Sequence, residues 1–138
     1  MGRIIAIDYG KKRTGLAVSD PLKIIAGGLA TVASQEVIAY LTKYIKENDV
    51  ELLLVGEPRQ MNYLPSENML RVEIFKEKLQ KALPAKEIKM VDERFTSVLA
   101  HRTMIQAGLK KTRRQDKALA DEVSATILLQ TYLESTRK

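Results

Sequence analysis

The sequence predicts an α/β fold: a five-stranded mixed sheet with helices on both faces. An apolar N-terminal run at 3–9 is followed, across short turns, by two further β-rich runs, which predicts an antiparallel meander. The remainder alternates helical periodicity with short apolar strands, the order of units whose helices cover a sheet. At 138 residues the expectation is one domain, 1–138, with no internal repeat, linker or low-complexity tract.

Arg3 to Tyr9 is nearly continuous in apolar and β-forming residues, the signature of a central strand buried on both faces. Gly10-Lys11-Lys12 connects it to a second strand, Arg13 to Ser19, and Asp20-Pro21 leads to a third, Ile24 to Val32. Ser34 is placed to cap a helix through about Asn48, in which Val37, Ile38, Leu41, Tyr44 and Ile45 recur at helical spacing. Leu52 to Val55 reads as a short strand, and Glu57 to Ser66, with two prolines and two amides, as a loop. A second helix runs from about Glu67 to Leu83, with Leu70, Ile74 and Leu79 inward and Pro84 ending it. Glu87 to Val91 is a fifth strand. Thr96 caps a third helix that stops at Gly108, and after a basic stretch a last helix runs from about Lys117 to Thr136.

The absence of cysteine removes thiolate metal sites and Cys nucleophiles, and one histidine, His101, makes a His-rich zinc site or a Ser-His-Asp triad hard to build. What remains for chemistry is carboxylate work. The N-terminus places Asp8 where a signal peptide would stay apolar, and no run is long enough to span a membrane, so the expectation is a cytoplasmic protein with no membrane partner. A net charge of +6 and a sequence pI near 9.5 suit a polyanionic partner such as nucleic acid, or simply keep a basic protein soluble.

Three carboxylates stand out. Asp8 ends the first strand among Ile4, Ala6 and Ile7, where an ionised group is costly without a positive neighbour; Gly10 and Gly15 leave room for ligand oxygens, although an Asp before Tyr-Gly also suits a turn. Asp92-Glu93 follows the fifth strand. If strands one, four and five are parallel, this pair shares the carboxyl edge with Asp8, the edge where open α/β sheets bind ligands. The pair could equally neutralise Arg94 or start the next helix. Asp121 lies early in the last helix, and spacings of 4, 7 and 11 place it on one stripe with Ala125, Leu128 and Tyr132, whereas Glu122 is turned about 100° away. An inward Asp of this kind is also often bonded to a neighbouring Lys or Arg.

Carboxylates from three elements, without histidine or cysteine, suit hard cations with oxygen ligands, Mg²⁺ or Mn²⁺, and two such ions can activate water and stabilise the leaving oxygen of a phosphodiester. Lys11, Lys12 and Arg13 lie beside Asp8, and Lys110, Lys111, Arg113, Arg114 and Lys117 lead into the helix of Asp121, in position for phosphate contacts. Either cluster alone would be an ordinary solvated charge run.

Four segments taken together resemble the YqgF family, also called RuvX. They are Ile7-Asp8-Tyr9-Gly10-Lys11-Lys12-Arg13-Thr14-Gly15-Leu16-Ala17, Val55-Gly56-Glu57-Pro58-Arg59-Gln60-Met61-Asn62, Asp92-Glu93-Arg94-Phe95-Thr96-Ser97 and Asp121-Glu122-Val123-Ser124-Ala125-Thr126-Ile127-Leu128-Leu129-Gln130. The resemblance spans essentially the whole chain. It implies a ribonuclease H-like fold and a metal-dependent nuclease of the Holliday-junction-resolvase-like kind, processing the 5′ end of pre-16S ribosomal RNA in ribosome biogenesis. It also implies Asp8, Glu93 and Asp121 as catalytic residues, with Asp92 beside them as a further metal ligand. Two positions depart from the family pattern. Glu57 stands where Leu or Phe is usual, and Asn62-Tyr63 lacks the usual glycine. Glu57 either adds a ligand or is a solvent-facing loop residue, the preferred reading because Pro58 follows it.

The leading expectation is therefore an endonuclease on structured RNA, the alternatives being a branched-DNA resolvase or a nucleic-acid-binding module whose acids only hold the fold. An actin-like ATPase would share Asp-x-Gly, but it needs a second lobe with its own copy of that turn, which this chain lacks. His101 is expected to be dispensable, since metal ions lower the pKa of bound water without an imidazole base.

Overall fold

The structure, a computed structural model, describes residues 2–57, 67–92 and 117–135. Its strands are β1 (Arg3–Tyr9), β2 (Arg13–Ser19), β3 (Ala26–Ala33), β4 (Val50–Glu57) and β5 (Glu87–Asp92). Its helices are α1 (Val37–Glu47), entered through a 3-10 turn at Ser34–Glu36, then α2 (Glu67–Ala82) and α3 (Lys117–Ser135). The five strands form one sheet in the order β3-β2-β1-β4-β5. β1–β2 and β2–β3 are antiparallel, as two-stranded turns allow, whereas β1–β4 and β4–β5 are parallel. Parallel neighbours cannot be joined by a hairpin, and α2 provides the crossover from β4 to β5.

Period-two alternation along the central strands divides the core in two. Ile5 and Ile7 of β1, Leu16 of β2 and Leu53 and Val55 of β4 pack against Val37 and Leu41 of α1 and Val72, Phe75 and Leu79 of α2. On the other face, Ile4, Ala6, Ala17, Leu52 and Leu54 pack against Ala125, Leu128, Leu129 and Leu133 of α3. Ala6, Ala17 and Ala125 are fully buried and short, which lets the α3 backbone settle close to the sheet. The continuous apolar run of β1 is thus the signature of a strand covered on both sides.

Several boundaries and faces differ from the sequence expectation. β3 begins at Ala26 rather than Ile24, because the backbone N–H groups of Ile24 and Ile25 donate to the Asp20 carboxylate and are held in the turn. β4 extends over Val50–Glu57, beyond the expected Leu52 to Val55, and Glu57 is its last residue, paired with Asp92 of β5, instead of the first residue of a loop. Ser34 does not cap α1. The position before that helix is Glu36, which makes no side-chain capping bond, and the Ser34 hydroxyl donates instead to the Gly10 carbonyl. In α2 the buried stripe is Val72, Phe75 and Leu79, while Leu70 is 64% and Ile74 46% exposed, so two of the three residues expected inward face out. The ring of Phe75 stacks on Tyr9 with centroids 4.2 Å apart, a larger contact than either Leu70 or Ile74 could make and the reason this stripe is the buried one. The helix expected over 96–108 lies outside the described residues, as do Glu93, His101, Lys110, Lys111, Arg113 and Arg114.

Candidate active site

Parallel pairing of β1, β4 and β5 carries their carboxyl ends to one edge of the sheet, and Asp8, Glu57 and Asp92 all fall at that edge. Asp8 continues the series Ile4 and Ala6, which packs under α3. The face of α3 is thus the one Asp8 shares with the helix that carries Asp121, four residues before the buried Ala125.

Asp8 is half-buried and sits opposite Gly15 of β2. On its other side β4 pairs Val55 with Ile7, so the next residue along, Gly56, flanks Asp8 at the same level. Gly15 and Gly56 are both buried and both belong to the α3 face, following the alternation of Ala17 and of Leu52 and Leu54. On either side of Asp8 the neighbouring strand therefore carries no side chain, so backbone alone flanks the carboxylate within the sheet. That is where the fit to a divalent cation lies: a hard oxygen donor at a sheet edge with backbone instead of side chains beside it. Among the described residues no group of three Asp, Glu or His comes within reach of one ion.

The turn after Asp8 is locked by Ser34, the residue that follows β3. The Ser34 backbone N–H donates to the Lys12 carbonyl at 3.0 Å, and the Ser34 hydroxyl donates to the Gly10 carbonyl at 2.6 Å. A hydroxyl has one hydrogen, so the 2.8 Å contact between Thr14 and Ser34 is a bond donated by Thr14. Thr14 is fully buried and Ser34 nearly so, which makes these bonds expensive to break. Sequence reasoning missed this role for Ser34. The signal that could have found it is the pairing of Arg13 with Ala33, which brings the residue after β3 back to the turn. Lys11 and Lys12 are exposed on that turn, and Arg13, half-buried, opens β2.

The opposite end of the sheet has its own polar frame. Lys23 pairs with Glu51, whose carboxyl is held below the usual range first by that hydrogen bond and then by the ammonium charge and the Gly2 N–H. Lys89 of β5 donates to the Tyr132 hydroxyl at 3.4 Å, and the Ala26 N–H to the Gln130 side chain at 3.0 Å. These bonds tie α3 to both edge strands and set the helix on the sheet. No helix among the described residues is long and apolar enough to cross a membrane.

A protein of Azobacteroides pseudotrichonymphae named "Putative pre-16S rRNA nuclease" is 60% identical over 138 residues, covering all of both chains. One of the same name from Bacteroides fragilis is 58% identical over 137 residues, covering 99% of each. Among solved structures, Thermus thermophilus RuvC in complex with a Holliday junction superposes with a TM-score of 0.61 at 16% identity, covering 99% of this chain and 97% of that one. The fowlpox virus resolvase, also in complex with Holliday junction DNA, superposes at 0.58 and 12% identity, covering 99% of both. These likenesses show the fold, a RuvC-like ribonuclease H arrangement. The description RuvX, Holliday junction resolvase, matches residues 2–135, and with full-length relatives at this identity the chain belongs to the RuvX family.

Proposed function

We propose that the protein is a metal-dependent endonuclease that hydrolyses phosphodiesters in structured RNA and processes the 5′ end of pre-16S ribosomal RNA, the whole chain acting as one ribonuclease H-like domain. The observation that carries the reading is the placement of Asp8: at the carboxyl edge, on the face of α3, between two buried glycines. The curated relatives are named for the same activity.

The residues that would hold Mg²⁺ or Mn²⁺ are Asp8, Asp121 and Glu93, with Asp92 beside them. When bound, a pair of such ions supplies water activation and charge neutralisation at the scissile phosphate. The protein's own part is to converge the carboxylates, to keep side chains away from Asp8 through Gly15 and Gly56, and to hold the Lys11–Lys12 turn through Ser34 and Thr14 so that phosphates meet fixed cations. Arg13 and, ahead of α3 in sequence, Lys110, Lys111, Arg113 and Arg114 are assigned to further phosphate contacts.

The test is cleavage of a pre-16S RNA fragment, with its 5′ extension, by wild type and Asp8→Asn in Mn²⁺, beside a four-way DNA junction. Loss of RNA cleavage in a folded Asp8→Asn protein is the expected result. Wild-type cleavage by Asp8→Asn would overturn the assignment of Asp8, and cleavage of the junction alone would replace RNA by branched DNA as the substrate. Binding without any cleavage by the wild type would make the protein a non-catalytic module.

A further inference from the structure

We infer that the groove between α1 and α2, on the sheet face opposite α3, is a subsite for the single-stranded RNA that flanks the scissile phosphodiester. This rests on the nuclease reading above and deepens it. The groove is about 370 Å³, within the span of small-molecule pockets and adequate for a nucleotide. Tyr9, Lys11 and Ile38 line it from the strand and α1 side, and Arg71, Ile74 and Lys78 from α2. Three cations line it, and among the described residues no carboxylate does.

Spacing explains why α2 is built this way. Positions 71, 74 and 78 are separated by three and four residues and so form one stripe, with an apolar side chain between two cations. The buried stripe of the same helix is Val72, Phe75 and Leu79, so the cationic one is turned to solvent along the groove. Ile74, 46% exposed, has no place in the core but offers a base or ribose an apolar contact between two phosphate-binding groups. At the floor the Tyr9 ring is stacked on Phe75 at 4.2 Å and is thereby fixed in position.

Continuity with the candidate active site gives the groove its occupant. Tyr9 directly follows Asp8, and consecutive strand residues point to opposite faces, so a strand of RNA at Asp8 has only to cross the sheet edge to reach Tyr9. Lys11 stands on the turn at that crossing and lines the groove as well. Charge matters in the choice of occupant: a groove lined by three cations matches a phosphate backbone, and its apolar wall matches bases that are not paired.

The experiment measures affinity by fluorescence anisotropy for two labelled RNAs, a blunt hairpin and the same hairpin with a single-stranded 5′ extension, across a salt series. The proteins are wild type, Arg71→Gln/Lys78→Gln and Ile74→Glu, all changed at exposed positions, with folding checked by circular dichroism. For the extended RNA, the double variant should lower the log–log salt slope by about 1.4, from roughly 0.7 per lost single-strand phosphate contact. Ile74→Glu should weaken the extended RNA, and the blunt hairpin should bind all three proteins alike. Unchanged affinity and slope for the extended RNA would overturn the inference. Equal weakening of both RNAs would do the same. Asp8→Asn keeps the two readings apart: it should bind the extended RNA as wild type does while failing to cleave. Loss of cleavage there with no groove effect rejects only the subsite, and a groove effect with undiminished Asp8→Asn cleavage rejects only the catalytic assignment.

Discussion

Gly10 closes the β1–β2 turn two residues beyond Asp8, and replacing it by Ala probes how tightly that turn is held. A Cβ at this position would lie 2.5 Å from the Arg13 carbonyl oxygen. Carbon–oxygen contacts begin at about 3.3 Å, so the turn has to open by roughly 0.8 Å. The obstacle is backbone, and it is anchored: Tyr9 pairs with Thr14, Arg13 pairs with Ala33, and Ser34 bonds to both Gly10 and Lys12. Overpacking of this kind costs about 1–3 kcal/mol, and the narrower unfolded ensemble of Ala returns about 0.4–1, leaving a net loss of up to about 2.6 kcal/mol. With an unfolding entropy of about 2.1 cal/mol/K per residue, or roughly 0.3 kcal/mol/K for the chain, the melting temperature should fall by up to about 9 °C. Gly27→Ala is the matched control, because its Cβ meets nothing closer than the Val18 carbonyl at 4.0 Å, an ordinary contact. Thermal and urea denaturation of the two variants beside wild type gives the comparison. Coincident melting of Gly10→Ala and Gly27→Ala would refute the claim that the turn is locked. If the turn does shift, metal-dependent cleavage should fall as well, by up to about 10²-fold for a displacement near 1 Å.

Leu79→Ala, at a fully buried position, should cost about 2–5 kcal/mol in urea denaturation, whereas Leu70→Ala, 64% exposed, should stay within about 0.5; equal losses would return Leu70 to the core. The Asp20 carboxyl is held below its usual 3.8 by backbone N–H donors, Ile25 first, then Ile24 and Leu22. A depressed folded pKa stabilises the fold above the unfolded value and loses that stabilisation as pH falls through the folded one. The melting-temperature gap between wild type and Asp20→Asn should therefore be largest near neutral pH and close below about pH 3.8, and a gap constant with pH would contradict the assignment. Asp121→Asn should abolish Mn²⁺-dependent cleavage if the side chain is a ligand, or lower it about 10- to 100-fold if it orients one, while Glu122→Gln should largely spare it. Equal loss in both would require the site to be rebuilt around Glu122.

Local chemistry made most of the sheet legible. The bounds of β1 and β2 follow from unbroken apolar and β-branched runs ended by Gly10 and Asp20, and the span of α3 from its apolar spacing, because burial on a known period writes itself into residue order. The place of Asp8 at the end of β1 was legible for a related reason: the apolar run Ile4 to Ile7 fixes the strand that it closes. Where two apolar stripes compete on one helix, however, periodicity has no preference. α2 carries Leu70 and Ile74 on one and Val72 and Phe75 on the other, and only the stacking of Phe75 on Tyr9, a residue 66 positions earlier in the chain, chose between them. Tertiary structure likewise took Ser34 from the helix end and gave it to the Gly10–Lys12 turn, since a hydroxyl bonds to whatever carbonyl the packing brings near. It also set Asp8 on the face of α3 between Gly15 and Gly56, because strand register is a relation between segments that no single segment contains.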